Sequence, residues 1–277
     1  KVDPGWTLVG YGSFDVAGGV LRTAPDEKGL GLLLYTKEKF GDCQIRVVFR
    51  AEDAKSNAGV FVRIDDGILQ QVGKNHAPAK RDERGKLTTE SLQIFKDASE
   101  RGIGAWYAVH HGYEVQICDH SDPLHRTGAI YSLAQSAEAP QHEPDAWRTM
   151  VITLKGNQVL VELDGKPVTA FDPADPSIPP QKEWYEPRRE AKRPQSGYIG
   201  LQVHDPGDIV EFKSVSVRPL QKSPDFWHFR PELWRVRLRG RCDLQALDSH
   251  VYSIHNRYSI YSRYAAGIDS SVDAGNL

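Results

Sequence analysis

The stretch that decides the fold runs from Met150 to Phe171 and reads MVITLKGNQVLVELDGKPVTAF. It contains three short runs in which apolar and polar residues alternate, and a period of two is typical of half-buried β-strands. The runs are separated by Gly156-Asn157 and by Asp164-Gly165, and an Asp-Gly pair is the strongest short hairpin signal available. The segment therefore predicts three consecutive antiparallel strands.

The same alternation recurs on both sides of this segment, in about twelve short runs between Trp6 and Val217. No βαβ rhythm and no internal repeat accompany these runs. Many short strands separated by turn residues are typical of all-β domains. We therefore expect an all-β fold, a two-sheet jelly-roll sandwich.

Two long insertions interrupt the strand pattern. The first, residues 70–107, holds a charged stretch and one predicted helix, with Thr88 or Thr89 as its cap and Glu90 to Glu100 as its body. The second, residues 172–195, is rich in proline and charge and is expected to cross the rim of the sandwich. Loops this long in compact domains are usually functional or mobile.

The alternation stops at residue 221, where an aromatic and arginine-rich sequence begins. We therefore expect a jelly-roll domain over residues 1–220 and a C-terminal extension over residues 221–277, whose role the sequence leaves open. The formal net charge of −2 argues against a nucleic-acid partner, because such proteins usually carry a basic excess. No apolar run approaches the roughly 20 residues that a membrane-spanning helix needs.

The chain begins at Lys1 without a Met or the apolar core of a signal peptide, so we expect a mature or trimmed form. Its three cysteines, Cys43, Cys118 and Cys242, cannot all pair within one chain and show no CxxC spacing. The sequence therefore favours neither a disulfide framework nor a cysteine zinc site. The oligomeric state stays open.

Three strands separated in the sequence carry polar side chains on one face, because alternate residues of a strand point to opposite sides. If they share one sheet, its outer face would bring together Arg63, Glu114, Gln116, Gln202 and His204. Amide and charged groups bind hydroxyls in forks, and aromatic faces cover the C–H patches of a sugar. This combination predicts a carbohydrate site, although solvated positions of a half-exposed sheet would show the same pattern.

Several motifs together resemble the 3-keto-disaccharide hydrolase domain, a family long catalogued as a domain of unknown function. They are Ser56-Asn-Ala-Gly-Val-Phe-Val-Arg63, Gly112-Tyr-Glu-Val-Gln-Ile-Cys-Asp119, Thr127-Gly-Ala-Ile-Tyr131, Ala146-Trp-Arg-Thr-Met-Val-Ile152 and Ser196-Gly-Tyr-Ile-Gly-Leu-Gln-Val-His204. The resemblance covers about Gly5 to Leu220. It implies a concanavalin- or glucanase-like jelly roll, export to the periplasm or the medium, and cleavage of glycosides already oxidised at sugar C3.

The sequence departs from the family pattern at Arg148, where an Asn is usual, and at Lys213-Ser214, where Arg-Asn is usual. Both insertions and the extension also lie outside the common pattern. These departures affect the expected substrate more than the expected fold.

The implied reaction has clear chemical requirements. A ketone at C3 acidifies the C2 hydrogen, so the group at C1 can leave by β-elimination, and water can then add. The reaction needs proton transfer, which we assign to Glu114 or His204, and stabilisation of the enolate oxygen. We assign that stabilisation to Arg63 and Gln116, and the shaping of the pocket to Tyr131, Trp147 and Gln202.

Other functions compete with this reading. A non-catalytic carbohydrate-binding module and a structural or adhesion domain could use the same scaffold. A conventional retaining glycanase is less well supported, because the relevant strand offers Glu114, Gln116 and Cys118 and lacks a second carboxylate on that face.

No cofactor is expected, and the sequence leaves a structural calcium open. A histidine-rich cluster provides metal-ligand residue types, namely His110, His111, Asp119, His120 and His125. A whole strand separates its first two histidines from His120, and adjacent histidines of a strand point apart, so the cluster does not favour a transition-metal site.

Overall fold

A computed structural model of the chain describes residues 5–137 and 141–220. The described residues form twelve strands, as the alternation predicted. The strands are β1 (Trp6–Gly10), β2 (Ser13–Ala17), β3 (Val20–Ala24), β4 (Gly31–Phe40), β5 (Cys43–Ala51), β6 (Ala58–Ile64), β7 (Tyr113–Ile117), β8 (Arg148–Lys155), β9 (Gln158–Leu163), β10 (Lys166–Phe171), β11 (Gly197–Val203) and β12 (Val210–Pro219). The predicted extension, residues 221–277, lies outside the described residues, so the boundary at residue 220 stays a prediction.

The strands form two antiparallel sheets, and the predicted all-β jelly-roll sandwich is confirmed. One sheet has five strands in the order β1-β4-β11-β6-β7, and the other has seven in the order β10-β9-β8-β5-β12-β3-β2. The two predicted hairpins connect β8 to β9 and β9 to β10, where Lys155 pairs with Gln158 and Leu163 with Lys166.

The main core lies between the two sheets and is built from the alternate apolar residues of both. The strand β5 contributes Ile45, Val47 and Phe49, and the five-stranded sheet contributes side chains such as Val115 and Leu201. These residues are at most 1% exposed. Removing such surface from water is the main source of stability in a sandwich of this size.

The first insertion folds into a small helical unit. It consists of a 3₁₀ helix (Asp66–Gln71), α1 (Thr89–Arg101) and α2 (Trp106–His111). Thr88 caps α1 by accepting the Ser91 N–H at 3.2 Å, in agreement with the predicted start of this helix. The short helix α2 was not predicted, and it has no side-chain cap. None of the helices in the described ranges is long and apolar enough to cross a membrane.

The helical unit covers part of the outer face of the five-stranded sheet. Phe95 of α1 and Trp106 of α2 form a second apolar cluster with Leu32 and Leu34 of β4 and Phe61 of β6. The helical unit therefore shields the outer face from water over β4 and over one end of β6 and β11. The strand β7 at the sheet edge keeps the polar part of that face.

Two of the three cysteines lie in the described residues, and both are free thiols. Cys43 is 2% exposed and Cys118 is 9% exposed. Burial raises the pKa of the Cys43 thiol to about 12 and also raises that of Cys118. Cys242 lies outside the described residues.

The second cluster allows a direct test of how the insertion is held. We expect Phe95→Ala to weaken the docking of α1 by about 3 kcal/mol, because Phe95 is 6% exposed and its ring lies 6.1 Å from that of Trp106. Leu92→Ala, on the same helix but 47% exposed, is the matched control and should change it by less than about 0.5 kcal/mol. Amide hydrogen exchange of α1 measures both, and equal effects would contradict the packing.

Candidate functional site

The three strands with polar faces lie side by side, as predicted, in the order β11-β6-β7. Glu114 of β7 pairs with Phe61 of β6, and Gln116 pairs with Gly59. Leu201 of β11 pairs with Val60, so Gln202 comes next to Gly59 on the other side. The outer face at this point therefore holds two glutamines and a glutamate around a glycine.

The Glu114 side chain lies directly over Gly59. A Cβ atom at position 59 would stand 2.3 Å from Oε1 of Glu114, so any larger residue there would force the carboxyl to move. Glu114 is 8% exposed. Burial raises its pKa to about 8, although the charge of His204 and a hydrogen bond from Gln202 favour the ionised form. The carboxyl group is therefore protonated at neutral pH.

His204 stands just past the end of β11 and is the centre of a hydrogen-bonded chain. Its Nδ1 lies 2.7 Å from Oδ2 of Asp208, and its Nε2 lies 3.3 Å from Nδ2 of Asn57. Nε2 of Gln116 donates to Oδ1 of Asn57 at 3.1 Å. With Nδ1–H donating to the carboxylate, Nε2 of the neutral imidazole is an acceptor.

Burial lowers the pKa of His204, but its neighbours outweigh burial. The hydrogen bond to Asp208 and the charges of Asp205, Asp208 and Glu114 together raise the pKa above its ordinary value. The His204 side chain is 32% exposed, whereas Glu114 is nearly inaccessible. The site thus combines a buried neutral acid with an imidazole held by a carboxylate.

Two amide oxygens of the site have no partner among the described residues. Gln116 is 2% exposed and Gln202 is 4% exposed, yet Oε1 of each is buried without a hydrogen bond. A buried polar atom without a partner costs free energy, so such atoms are expected where a ligand supplies the partner. Both oxygens can accept hydrogen bonds from hydroxyl groups.

Tyr131 borders Glu114 on the edge of the sheet. Its backbone N–H donates to the Glu114 carbonyl at 3.0 Å, and its ring centroid lies 4.9 Å from that of His125. Burial, and secondly the charge of Glu114, raise the pKa of the Tyr131 hydroxyl far above its ordinary value. The phenol therefore stays protonated and can donate a hydrogen bond.

An arginine of the first insertion reaches the other end of the site. Nη2 of Arg81 donates to Oδ1 of Asp205 at 2.8 Å, and the backbone N–H of Asp205 donates to Oδ2 of Asp208. Three hydrogen bonds, through Asp205 and Asp208, therefore connect a cation of the insertion to His204. Sequence reasoning assigned no role to Arg81.

Arg63 does not lie with these residues, and the prediction that it does is wrong. The strand β6 carries one extra residue relative to β11 here, because Ile64 pairs with Tyr198 and Phe61 with Gly200. Arg63 has a φ of 55°, so the bulge turns its side chain away from the outer face. Its charge acts instead on Tyr113 and Cys43, which belong to the core between the sheets.

Trp147 is also placed elsewhere, and its predicted position in the pocket is wrong. It precedes β8 of the seven-stranded sheet. The guanidinium of Arg50 lies 4.8 Å from the centroid of the Trp147 ring, and Nζ of Lys213 lies 5.4 Å from it. Because the ring packs against these two cations, it does not line the Glu114 site.

The histidine-rich cluster is dispersed. His110 lies 2.9 Å from the Ser99 hydroxyl, His111 lies 3.1 Å from Asp65, and His125 pairs with Asp122. Within the part of the chain that the structure describes, no group of three or more His, Cys, Asp or Glu residues could hold a metal ion.

Sequence reasoning missed two residues that complete the site, Asn57 and Asp208. Asn57 lies in the motif before β6, and Asp208 lies in the turn Asp205-Pro-Gly-Asp208 after β11. The backbone N–H of Asn57 donates to Oδ1 of Asp208 at 3.0 Å, so the two loops hold each other. A polar residue directly before or after a strand of the polar face was the available signal.

The fold and the site together define a class of protein. The chain is a jelly-roll sandwich whose five-stranded sheet carries amides, an acid and an imidazole on its outer face. Such a surface is of the carbohydrate-related type, with planar hydrogen-bonding groups beside an aromatic ring.

The chain belongs to the family of the 3-keto-alpha-glucoside-1,2-lyase-like domain, whose model matches residues 3–218. This confirms the resemblance seen in the sequence motifs. The match covers nearly all of the described residues, including every residue of the Glu114 site. A comparison with curated proteins finds no match.

Solved structures with a similar fold include two candidate glycosyl hydrolases from Parabacteroides distasonis. The first is 22% identical, with a TM-score of 0.51 over 75% of this chain and 90% of its own. The second is 15% identical, with a TM-score of 0.50 over 78% of this chain and 89% of its own. The carbohydrate-binding module CBM66 from Bacillus subtilis is 13% identical, with a TM-score of 0.44 over 77% and 94%. At these identities the likeness concerns the fold.

The contact between Glu114 and Gly59 can be tested by substitution. We expect Gly59→Ala to displace the carboxyl toward water, because the new methyl group would overlap Oε1. The pKa of Glu114, measured by carbon NMR, should then fall from about 8 toward its ordinary value. Gly41→Ala is the matched control, since a Cβ there meets nothing closer than 3.7 Å. An unchanged pKa in Gly59→Ala would contradict the placement.

The raised pKa of Glu114 also predicts how stability depends on pH. An unfolded Glu titrates near 4.3, so folding holds a proton that the unfolded chain releases between about pH 4.3 and pH 8. The contribution of Glu114 to stability is therefore full at low pH and is lost as the pH rises through this window. We expect Glu114→Gln to gain a few kcal/mol relative to the native chain between about pH 5 and pH 8. Urea titrations measure this difference, and parallel stability curves would contradict it.

Proposed function

We propose that the chain cleaves glycosides that carry a ketone at sugar C3, by elimination across C1 and C2. The observation that carries this proposal is the buried Glu114 carboxyl beside the His204–Asp208 pair on one sheet face. Family membership supports the substrate class. It also supports action outside the cytoplasm, which the family resemblance implied.

The proposed reaction begins with removal of the C2 proton. The electrons of the C2–H bond form an enolate with the C3 carbonyl. The C1–O bond then breaks, its oxygen takes a proton, and the aglycone leaves as an alcohol. Addition of water to the resulting double bond gives the free 3-keto sugar.

The two titrating residues suit opposite roles. Nε2 of His204 is an acceptor oriented by Asp208, so we assign His204 as the base that takes the C2 proton. Glu114 is protonated at neutral pH, so we assign it as the acid that protonates the leaving oxygen. Two groups whose surroundings favour different protonation roles are the usual basis of acid–base catalysis.

The remaining residues bind the sugar in this proposal. Oε1 of Gln116 and Oε1 of Gln202 accept hydrogen bonds from hydroxyl groups and thereby gain the partners they lack. The Tyr131 hydroxyl donates to an oxygen of the substrate, which includes the enolate oxygen as it becomes negative. Tyr131 thus takes the place that the sequence assigned to Arg63.

Release of the aglycone from a 3-keto-glucoside, compared with the unoxidised glucoside, tests the proposal. We expect turnover of the ketone only, with kcat/KM rising as His204 loses its proton and falling above about pH 8 as Glu114 loses its own. Glu114→Gln and His204→Ala should each lower kcat by about 10²- to 10⁴-fold. Glu114→Gln should also abolish the fall at high pH.

The matched control is Trp147→Ala, which removes an aromatic ring from the opposite sheet. We expect it to keep nearly full activity. Saturable binding of the sugar without any turnover would support the alternative of a carbohydrate-binding module. Full activity in both Glu114→Gln and His204→Ala would reject the assigned roles.

A further inference from the structure

The second insertion, residues 172–195, forms a feature that the proposed reaction does not use. We name it the strap. It leaves β10 after Phe171, crosses the rim of the sandwich and returns to β11 at Gly197. Arg193 anchors it to β7, because its Nε donates to the Gly112 carbonyl at 2.6 Å.

A cleft of about 480 Å³ opens between the strap and the rim, and we name it the rim cleft. Its floor holds the rings of Tyr113 and Phe171, whose centroids lie 5.1 Å apart, together with Leu133. The strap contributes apolar and basic side chains, including Ile178, Pro179, Pro180, Arg189 and Arg193. A volume of this size is typical of small-molecule sites, and flat ring surfaces suit a planar ligand.

The rim cleft is separate from the Glu114 site. Tyr113 and Glu114 are neighbours on β7, but successive strand residues point to opposite sides. Tyr113 packs into the core between the sheets, whereas Glu114 lies on the outer face. A ligand in the rim cleft therefore meets different residues from a sugar at Glu114.

One cation of the rim cleft, Arg193, forms no ion pair with a carboxylate of the described residues, although the charge of Glu190 acts on it from a greater distance. Hydrogen bonds link Nε, Nη1 and Nη2 of Arg193 to the carbonyls of Gly112, Ala191 and Arg188, which use three of its five N–H groups without neutralising its charge. Its carbon Cζ lies 4.7 Å from the centroid of the Tyr113 ring. Burial lowers the pKa of Arg193, which reflects the cost of holding this charge away from water.

Arg63, which the bulge turns inward, does not line the cleft, but its charge acts on Tyr113 at the cleft floor, as does the opposite charge of Asp172. It is 2% exposed, and its Nε and Nη2 have no hydrogen-bond partner among the described residues. Oδ1 of Asp42 lies 4.0 Å from Nη2, at the limit of ion-pair contact. Both Arg63 and Arg193 act electrostatically on the Tyr113 hydroxyl at the cleft floor. By contrast, Arg189 is paired with Glu186 at 2.9 Å.

We propose that the rim cleft is a second binding site, for a small molecule that combines a planar apolar body with a carboxylate. The body would lie against Tyr113, Phe171 and the prolines of the strap. The carboxylate would face the Arg193 side of the cleft and balance the charge there. Buried cations are normally paired, so a ligand carboxylate would supply the ion pair that Arg193 lacks.

Benzoate is the probe for this site, because it joins a planar ring to a carboxylate. Benzyl alcohol, which has the ring without the charge, and acetate, which has the carboxylate without the ring, are the controls. Titration of the full chain, followed by calorimetry and by amide NMR shifts, should show saturable benzoate binding with a Kd on the order of 1 mM. Benzyl alcohol and acetate should bind at least about tenfold more weakly. The shifts should centre on Tyr113 and the strap.

Three variants separate the possible outcomes. Ile178→Trp fills the cleft and should abolish benzoate binding, and Arg193→Gln should weaken it about tenfold. Glu114→Gln should leave it unchanged. Thermal unfolding identifies variants that no longer fold, and Arg193→Lys, which keeps the charge, should retain most of the benzoate affinity.

Three results would overturn the proposal. The first is the absence of saturable benzoate binding by the native chain. The second is equal affinity for benzoate and benzyl alcohol, which would mean that the charge is not recognised. The third is binding that survives Ile178→Trp but is lost in Glu114→Gln, which would place the probe at the other site.

Discussion

Packing of the helical insertion onto the five-stranded sheet determines where polar chemistry can occur in this protein. Phe95 and Trp106 cover Leu32 and Leu34, so this part of the outer face is apolar and closed. The same cluster includes Phe61 of β6, which pairs with Glu114 of the neighbouring strand β7. An apolar side chain on one flank and a glycine beneath keep the Glu114 carboxyl out of water. The insertion thus helps to bury Phe61, the cross-strand neighbour of Glu114.

The site illustrates how a fold can favour a function at the expense of its own stability. A carboxyl group with a pKa near 8 destabilises the folded chain whenever it ionises, and two buried amide oxygens without partners add a further cost. These costs arise at one place, on the outer face of the strands β11, β6 and β7. A sandwich with a well-packed inter-sheet core can tolerate them because most of its stability comes from elsewhere.

Much of the fold could be predicted from period-two alternation and turn pairs, because each strand buries one face. The same rule placed Glu114, Gln116, Gln202 and His204 together. It failed at Arg63, where one extra residue in β6 reverses the direction of every side chain that follows. A bulge depends on the pairing with β11 and on the close approach of Gly197 to the Arg63 backbone, and neither is local. Trp147 was misplaced for a similar reason, because alternation does not show which of the two sheets a strand joins.

The reactivity of the two buried thiols, Cys43 and Cys118, can be used to measure opening of the sandwich. Burial raises the pKa of the Cys43 thiol to about 12, so the thiol is protonated at neutral pH, and thiolate is the reactive form. Alkylating reagents should therefore modify Cys43 only when the two sheets separate at its end of β5. Cys118, which directly follows β7, would report on opening beside the candidate site. The separate alkylation rates of Cys43 and Cys118 thus distinguish local opening from global unfolding.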